Sequence, residues 1–99
     1  MSAFVAVICG LKSEAAAIKA SLAAAKIDAD KVRIGVSGAN AARAEDLAEG
    51  LIAAGARAVI SAGLCGGLAP DLRPGDLIIG ERVVSASGDV ILSDRNLLA

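Results

Sequence analysis

The sequence contains no histidine, tryptophan or tyrosine, and a single phenylalanine. Without histidine, no ligand spacing of a metal site is visible, and we expect no metal. With a single aromatic side chain, the chain has no platform on which the bases of a nucleic-acid strand could stack, and the net charge of −1 gives no sign of a basic surface. The composition therefore argues against a metalloprotein and against a nucleic-acid-binding protein.

Long uncharged segments and targeting signals are also lacking. The longest uncharged stretch, residues 58–70, is too short and too rich in glycine to span a bilayer. Residues 1–5 lack the basic region that begins a signal peptide. Cys9 and Cys65 are far apart in the sequence, which is typical of a reduced protein rather than a disulfide scaffold. We expect a cytoplasmic protein with no membrane insertion.

Small apolar residues are abundant instead. The chain has 99 residues, of which 56% are hydrophobic, and this length allows one small domain. The core must be built from alanine, valine, isoleucine and leucine, which bury little area each. We therefore expect additional contacts from another segment or from further copies of the chain in a homo-oligomer.

The apolar pattern predicts strands alternating with helices. The unbroken apolar run at residues 4–9 is typical of a strand buried on both faces of a parallel sheet, and the apolar residues 58–60 are typical of a buried strand. The full set of predicted elements is strands over 4–9, 31–36, 58–62, 76–85 and 89–92 and helices over 13–25 and 41–54. This order predicts an α/β fold with a mixed, largely parallel sheet flanked by helices. Residues 96–99 resemble the start of a further helix, so we expect the fold to be incomplete at the C-terminus.

Helix-end signals refine the predicted boundaries. Ser13 is the predicted N-cap of the first helix, and Gly55 is predicted to end the second helix at the C′ position. The second helix has a predicted apolar face made of Ala44, Leu47, Ala48, Leu51 and Ile52.

A glycine-rich segment after the third predicted strand is the most informative motif. It reads Ser-Ala-Gly-Leu-Cys-Gly-Gly-Leu-Ala-Pro over residues 61–70, with Pro-Gly-Asp at 74–76. Glycines allow the backbone to approach a ligand closely, and the N–H groups of such a turn can bind an anion or a polar ligand edge. A tight connection without any ligand is the alternative interpretation.

Residues 61–81 resemble the central signature of the purine and uridine phosphorylase family, the nucleoside phosphorylases and nucleosidases. Its members carry a strand, a G-x-x-G-G-L-type turn and a P-G-D restart of the next strand. The resemblance extends back to residue 3 and is strongest to the nucleosidase branch and the hopanoid-associated phosphorylase group. It implies that residues 1–99 are the N-terminal part of a single phosphorylase/hydrolase-like domain that forms homo-oligomers.

The resemblance also implies a reaction. The N-ribosyl bond of a purine nucleoside, or of a 5′-modified adenosine, would be cleaved by water or by phosphate. No cofactor is implied beyond phosphate as a co-substrate. The groups that hold the ribose and protonate the base come from the later half of the family's domain. The resemblance therefore implies that these 99 residues carry only the nucleophile side of the site and are inactive alone.

Glu14 is the predicted catalytic residue. It lies four residues after Gly10 and matches the glutamate with which the nucleosidase branch activates water, where many phosphorylases have a phosphate-binding arginine. A carboxylate can accept a proton from water and repels phosphate, so Glu14 favours hydrolysis. The alternative is a surface glutamate in the first helical turn, favoured by the helix dipole.

The predicted substrate-binding residues are Gly10, Gly38, Leu64, Cys65 and Gly66. They lie in loops 10–14, 37–40 and 63–67, which follow three strands and should converge at one edge of a parallel sheet. Leu64 stands where many family members have a serine and cannot donate a side-chain hydrogen bond, which weakens the case for phosphate. Its side chain is interpreted as a packing residue whose backbone lines the site.

Other polar residues have less specific interpretations. Cys65 is interpreted as a small buried hydrophobe, because no histidine is present to form a thiolate, and Cys9 is interpreted in the same way. Asn40 replaces a family glycine and either adopts a positive φ or caps the second helix. Arg33 and Arg73 are left unassigned as surface charges, and the late acidic residues are interpreted as turn and surface residues, namely Asp89 and Asp94.

Two hypotheses other than an N-ribosyl-cleaving enzyme stay open. The first is a non-catalytic α/β fragment that self-associates through its apolar surface. The second is a small dithiol redox protein that uses Cys9 and Cys65, both of which are predicted to follow or end strands.

Overall fold

A computed structural model of the protein describes residues 3–94. The helix start predicted at residues 96–99 lies outside the described residues. The chain forms two compact units, one extending to Cys65 and the other beginning at Gly66.

The first unit alternates strands and helices as the apolar pattern predicts. Its elements are β1 (Phe4–Cys9), α1 (Lys12–Ala24), a 3-10 turn (Ala29–Lys31), β2 (Val32–Val36), α2 (Ala41–Ala53) and β3 (Ala56–Ser61). All three strands and both helices confirm the predictions for this part of the chain, with boundaries displaced by no more than two residues.

The three strands form a parallel sheet in the order β2-β1-β3. Because β1 lies in the centre and is paired on both sides, its residues are the main core of the unit. Val7 and Ile8 are each 7% exposed. The unbroken apolar run at 4–9 is therefore confirmed as a buried central strand, and the sheet confirms the predicted α/β class.

The expectation that β3 is a buried strand is wrong. Within the described residues β3 pairs with β1 alone, so it is an edge strand. Val59 is 41% exposed as a consequence. On α2, Ile52 is also exposed, whereas the rest of the predicted apolar face is at least partly buried.

The helix ends differ in part from the prediction. Ser13 is not an N-cap: α1 begins at Lys12, and Leu11 occupies the cap position. Asn40 caps α2 by accepting a hydrogen bond from the Arg43 N–H at 2.9 Å. Its φ of −114° shows that the positive-φ alternative is wrong.

The left-handed backbone conformations lie next to the cap instead. Gly38 and Ala39 have φ values of 67° and 58°, so the two left-handed residues of the turn come immediately before the cap residue Asn40. Gly55, with a φ of 108°, follows the C-cap residue of α2 and confirms the predicted helix end.

The second unit contains a short antiparallel hairpin of β4 (Arg82–Val84) and β5 (Val90–Leu92). The strand predicted over 76–85 is thus confirmed only at its end, because the earlier residues have no strand partner in the described chain. The predicted turn at Gly88 is confirmed by its φ of 90°. Asp89 is a turn residue as predicted, since its side chain accepts a hydrogen bond from Ser87 at 3.1 Å.

Candidate functional site

The parallel sheet brings the loops after its three strands to one edge, as predicted. The Ala39 N–H donates to the Gly10 carbonyl at 3.0 Å, which joins the loop after β2 to the loop after β1. The loop after β3 joins the same edge through Leu64, whose N–H donates to Glu14. Gly10, Gly38 and Leu64 therefore lie in connected loops, whereas Gly66 belongs to the second unit.

Glu14 lies at the centre of this edge and is buried, with 9% of its surface exposed. Its Oε1 accepts a hydrogen bond from the Leu11 N–H at 2.9 Å. Its Oε2 accepts one from the Leu64 N–H at 2.7 Å. The interpretation of Glu14 as a surface residue is therefore wrong, and the carboxylate links the loop after β1 to the loop after β3.

These backbone donors determine the charge of Glu14. The Leu64 N–H lowers the pKa of Glu14 below its ordinary value of 4.5; burial opposes this, and the N–H groups of Leu11 and Gly10 add to the lowering. The carboxylate is therefore ionised at neutral pH. Because each carboxylate oxygen has two acceptor directions, the group can still accept hydrogen bonds from a further ligand.

The same hydrogen bond to Leu11 explains the position of the helix start. Glu14 is the third residue of α1 and reaches back to the cap residue's N–H, which is half of a capping box. The carboxylate satisfies the Leu11 N–H, whereas a serine at the cap would accept a hydrogen bond from a different donor, the N–H of the second or third helical residue.

Gly63 is a site residue that the sequence analysis did not single out. A Cβ built on Gly63 would lie 2.6 Å from Oε2 of Glu14, too close for any real Cβ atom. The signal was present in the motif, because Gly63 is the first glycine of the G-x-x-G-G-type turn. Nothing in the sequence showed which side chain would fill the space beside it.

Two side-chain interpretations in the glycine-rich segment are wrong. Leu64 is 87% exposed, so its side chain does not pack; only its backbone takes part in the site. Cys65 is exposed rather than buried, because it follows the strand end in a segment without regular structure.

Cys9 and Cys65 are both free thiols. Cys9 is buried at the end of β1, and its thiol donates to the Gly35 carbonyl at 3.6 Å. A small buried hydrophobe is thus confirmed at Cys9 but not at Cys65.

The two unassigned arginines have local contacts. The Arg33 guanidinium lies 4.1 Å from the centre of the Phe4 ring, so it packs on the first strand of the sheet. The backbone N–H of Arg73 donates to Asp76 at 2.8 Å within the Pro-Gly-Asp turn. Neither contact places an arginine against Glu14.

The described part of the chain has neither a metal-binding cluster nor a membrane-spanning helix. Residues 3–94 contain no group of three or more histidine, cysteine or acidic side chains arranged to hold a metal ion. None of the helices in this range has the length and apolar character needed to cross a membrane.

Comparison with known families agrees with the geometry of the strand ends. The family model of the phosphorylase superfamily matches residues 4–94. No curated protein and no solved structure matches the chain. The family match includes both the parallel sheet with Glu14 and the glycine-rich segment, and it indicates an activity of the nucleoside phosphorylase or nucleosidase type. The chain therefore belongs to the phosphorylase superfamily, the family of the purine and uridine phosphorylases.

Proposed function

We propose that this chain provides the nucleophile side of a site that cleaves the N-ribosyl bond of a purine nucleoside, with a 5′-modified adenosine as the favoured substrate class. Water is the proposed nucleophile. The observation that carries the proposal is the buried, ionised Glu14 carboxylate, held by two backbone N–H groups where the loops after β1 and β3 meet.

The chemistry needs a group of this kind. Cleavage of an N-ribosyl bond passes through a sugar with cationic character, comparable to the transition state of glycoside hydrolysis. A fixed carboxylate can orient water by accepting a hydrogen bond from it and can stabilise the positive charge. As the C–N bond breaks, its electron pair leaves with the purine, and the oxygen of the oriented water forms the new bond to the sugar carbon. Water bonded to a cationic sugar is strongly acidic, so its proton passes to the Glu14 carboxylate and from there to solvent, even though the pKa of Glu14 is lowered.

The same features disfavour phosphate. The negative charge of Glu14 repels a phosphate anion at short range, and the backbone donors that could bind the anion at Leu11 and Leu64 are already used by the carboxylate. Leu64 also lacks the hydroxyl that many phosphorylases have at this position. Phosphate is the alternative nucleophile, and the sugar product distinguishes the two.

The test is release of free base by the protein that carries this chain. Purine nucleosides and 5′-modified adenosines are incubated with and without phosphate, and base and sugar are separated by chromatography. We expect free ribose or 5′-modified ribose in both cases. A requirement for phosphate, with formation of a sugar 1-phosphate, would contradict hydrolysis.

A matched pair of variants tests the role of Glu14. Glu14→Gln keeps the size of the side chain but removes its charge, and we expect a loss of about 10²–10⁴-fold in kcat. Glu45→Gln, which changes an exposed glutamate on α2, is the control and should retain wild-type activity. An unchanged rate in Glu14→Gln would remove Glu14 from the mechanism.

A second candidate function is self-association without catalysis. The observation that favours it is the exposed apolar hairpin of the second unit, formed by Val83, Val84, Val90, Ile91 and Leu92. Contiguous exposed apolar residues of this kind are typical of association surfaces. Sedimentation over a range of concentrations tests it, and a monomer that releases base would contradict it.

A further inference from the structure

The Glu14 carboxylate occupies the place where a side chain at position 63 would begin, and Gly63 has no side chain. A Cβ at this position would lie 2.6 Å from Oε2 and 3.2 Å from the carboxyl carbon of Glu14. Oε2 would have to move by about 0.8 Å to reach 3.4 Å, where ordinary van der Waals contact begins. The Glu14 carboxylate is held by hydrogen bonds from the Leu11 and Leu64 N–H groups, so moving Oε2 would strain or break these bonds.

Glycine is not needed at Gly63 for backbone reasons. The residues with positive φ in the first unit are Gly38, Gly55, Lys26 and Ala39, and Gly63 is not among them. An alanine could therefore adopt this backbone conformation. The Cβ of that alanine would nevertheless displace the Glu14 carboxylate from its position.

The next residue connects this space to the site. Leu64 donates its N–H to the same oxygen, Oε2, at 2.7 Å. Moving Oε2 away from a Cβ at Gly63 also changes its distance and angle to this N–H, and a hydrogen bond weakens steeply when either is lost. By contrast, a Cβ at Gly10 would make ordinary contact with Oε1 at 3.7 Å.

We propose that Gly63 is a positioning residue: the absence of a side chain at Gly63 holds the Glu14 carboxylate against the Leu64 N–H, at the point from which it acts on the attacking water. The catalytic consequence of this placement rests on the proposed function, whereas the placement itself does not. Gly63 touches neither water nor substrate in this role and acts through Glu14.

Gly63→Ala is the principal test, with Gly50→Ala as its control. Gly50 is an exposed glycine on α2 with no atom within 4 Å of an added Cβ. A carboxylate displaced by close to 1 Å costs on the order of 100-fold in rate. We expect Gly63→Ala to lower kcat by this amount with KM unchanged, and to shift the acid limb of the pH–rate profile to higher pH. Gly50→Ala should keep the wild-type kcat and the wild-type pH–rate profile.

A measurement independent of activity keeps the two proposals apart. The amide resonance of Leu64, followed by NMR against pH, reports protonation of the carboxylate that it contacts. We expect this titration in the wild-type protein and in Gly50→Ala, and its loss in Gly63→Ala. Absence of base release by the wild-type protein would overturn the proposed function but leave this test intact. If the Leu64 amide still titrates in Gly63→Ala, the positioning role is overturned. It is also overturned if the Leu64 titration is lost in Gly63→Ala while kcat stays unchanged.

A double variant covers the case in which Gly63→Ala does not fold. Glu14→Ala empties the space that the added methyl group would enter, so Gly63→Ala should have little effect on the Tm in that background. In the wild-type background we expect a decrease of about 4–8 °C or more. Equal decreases in the two backgrounds would show that the methyl group meets something other than Glu14 and would overturn the proposal.

Discussion

The two units contain strands of similar apolar sequence, but the strand of the first unit is buried and that of the second is exposed. In the first unit, β1 lies between two neighbouring strands and is buried, with Ile8 at 7% exposure. In the second unit, β5 has an equally apolar sequence, but among the described residues it pairs with β4 alone, and Ile91 is 68% exposed. The residue types are alike, so the difference comes from how many neighbours each strand has.

The comparison shows that strand formation and strand burial are separate properties. Alternating or continuous apolar residues favour a strand wherever they occur. Burial requires a second layer or a neighbouring strand, and in the first unit α1 and α2 return the chain to β1 each time. The site depends on this arrangement, because hydrogen bonds join the loops after the parallel strands and Glu14 is buried among them.

The largest expected effect comes from truncating the same residue type in the two units. Ile8→Ala should lower the free energy of unfolding by about 2–5 kcal/mol, since it leaves a cavity in the core. Ile91→Ala should change it by less than about 0.5 kcal/mol. Urea unfolding followed by circular dichroism measures both, because the chain has no tryptophan or tyrosine to report by fluorescence. Equal losses would show that the hairpin is as buried in solution as the central strand.

A smaller effect is expected from the charge of Glu14, and it should depend on pH. The pKa of Glu14 is lowered in the folded protein, so the unfolded chain binds more protons near pH 4.5 and the carboxylate stabilises the fold above that pH. This stabilisation is lost as the pH falls through the lower, folded-state pKa. Glu14→Gln should therefore be less stable than the wild-type protein at pH 7, and the two should converge in acid.

The control for this comparison is Glu45→Gln, since Glu45 is exposed on α2. Its stability should follow the wild-type curve across the same pH range in urea titrations. A gap between the wild-type protein and Glu14→Gln that stays constant down to pH 2 would contradict an electrostatic origin.

The cap of α2 should contribute about 1 kcal/mol to stability. Asn40→Ala removes the acceptor for the Arg43 N–H and leaves that donor without its side-chain partner. Asn40→Asp retains an acceptor and should stay close to the wild-type protein. In the second unit, Ser87→Ala removes a hydroxyl from an exposed turn and should have less effect than Asn40→Ala. Urea midpoints rank the three variants, and the reverse order would contradict the structure.

The smallest effect is expected at Ala39, which has a left-handed φ of 58°. This conformation costs an L-residue about 1–2 kcal/mol, which glycine avoids, although glycine also makes the unfolded chain more flexible. Ala39→Gly should therefore be neutral or stabilise the protein by up to about 1 kcal/mol. Ala42→Gly, inside α2, should destabilise it by about 1 kcal/mol. Loss of stability in both variants would contradict the strained turn.

The sequence predicted the features that depend on neighbours in the chain. The strands and helices of the first unit follow from apolar periodicity, and the Asn40 cap was one of two stated alternatives. The burial of Glu14 was not predictable in this way, because its partner Leu64 is 50 residues away and donates a backbone group that no residue type reveals. The exposure of β3 and the short β4 likewise depend on which strands lie beside them.

The central position of β1 has a consequence for how the protein is made. β1 leaves the ribosome before both of its partners, and the second partner, β3, ends at Ser61. At typical rates of synthesis the nascent chain waits about 3–10 s between the completion of β1 and that of β3. During that interval a six-residue apolar segment, Phe4–Cys9, has one side of its backbone unpaired. A nascent chain of this kind is most exposed to aggregation, and to rescue by chaperones, before its third strand emerges.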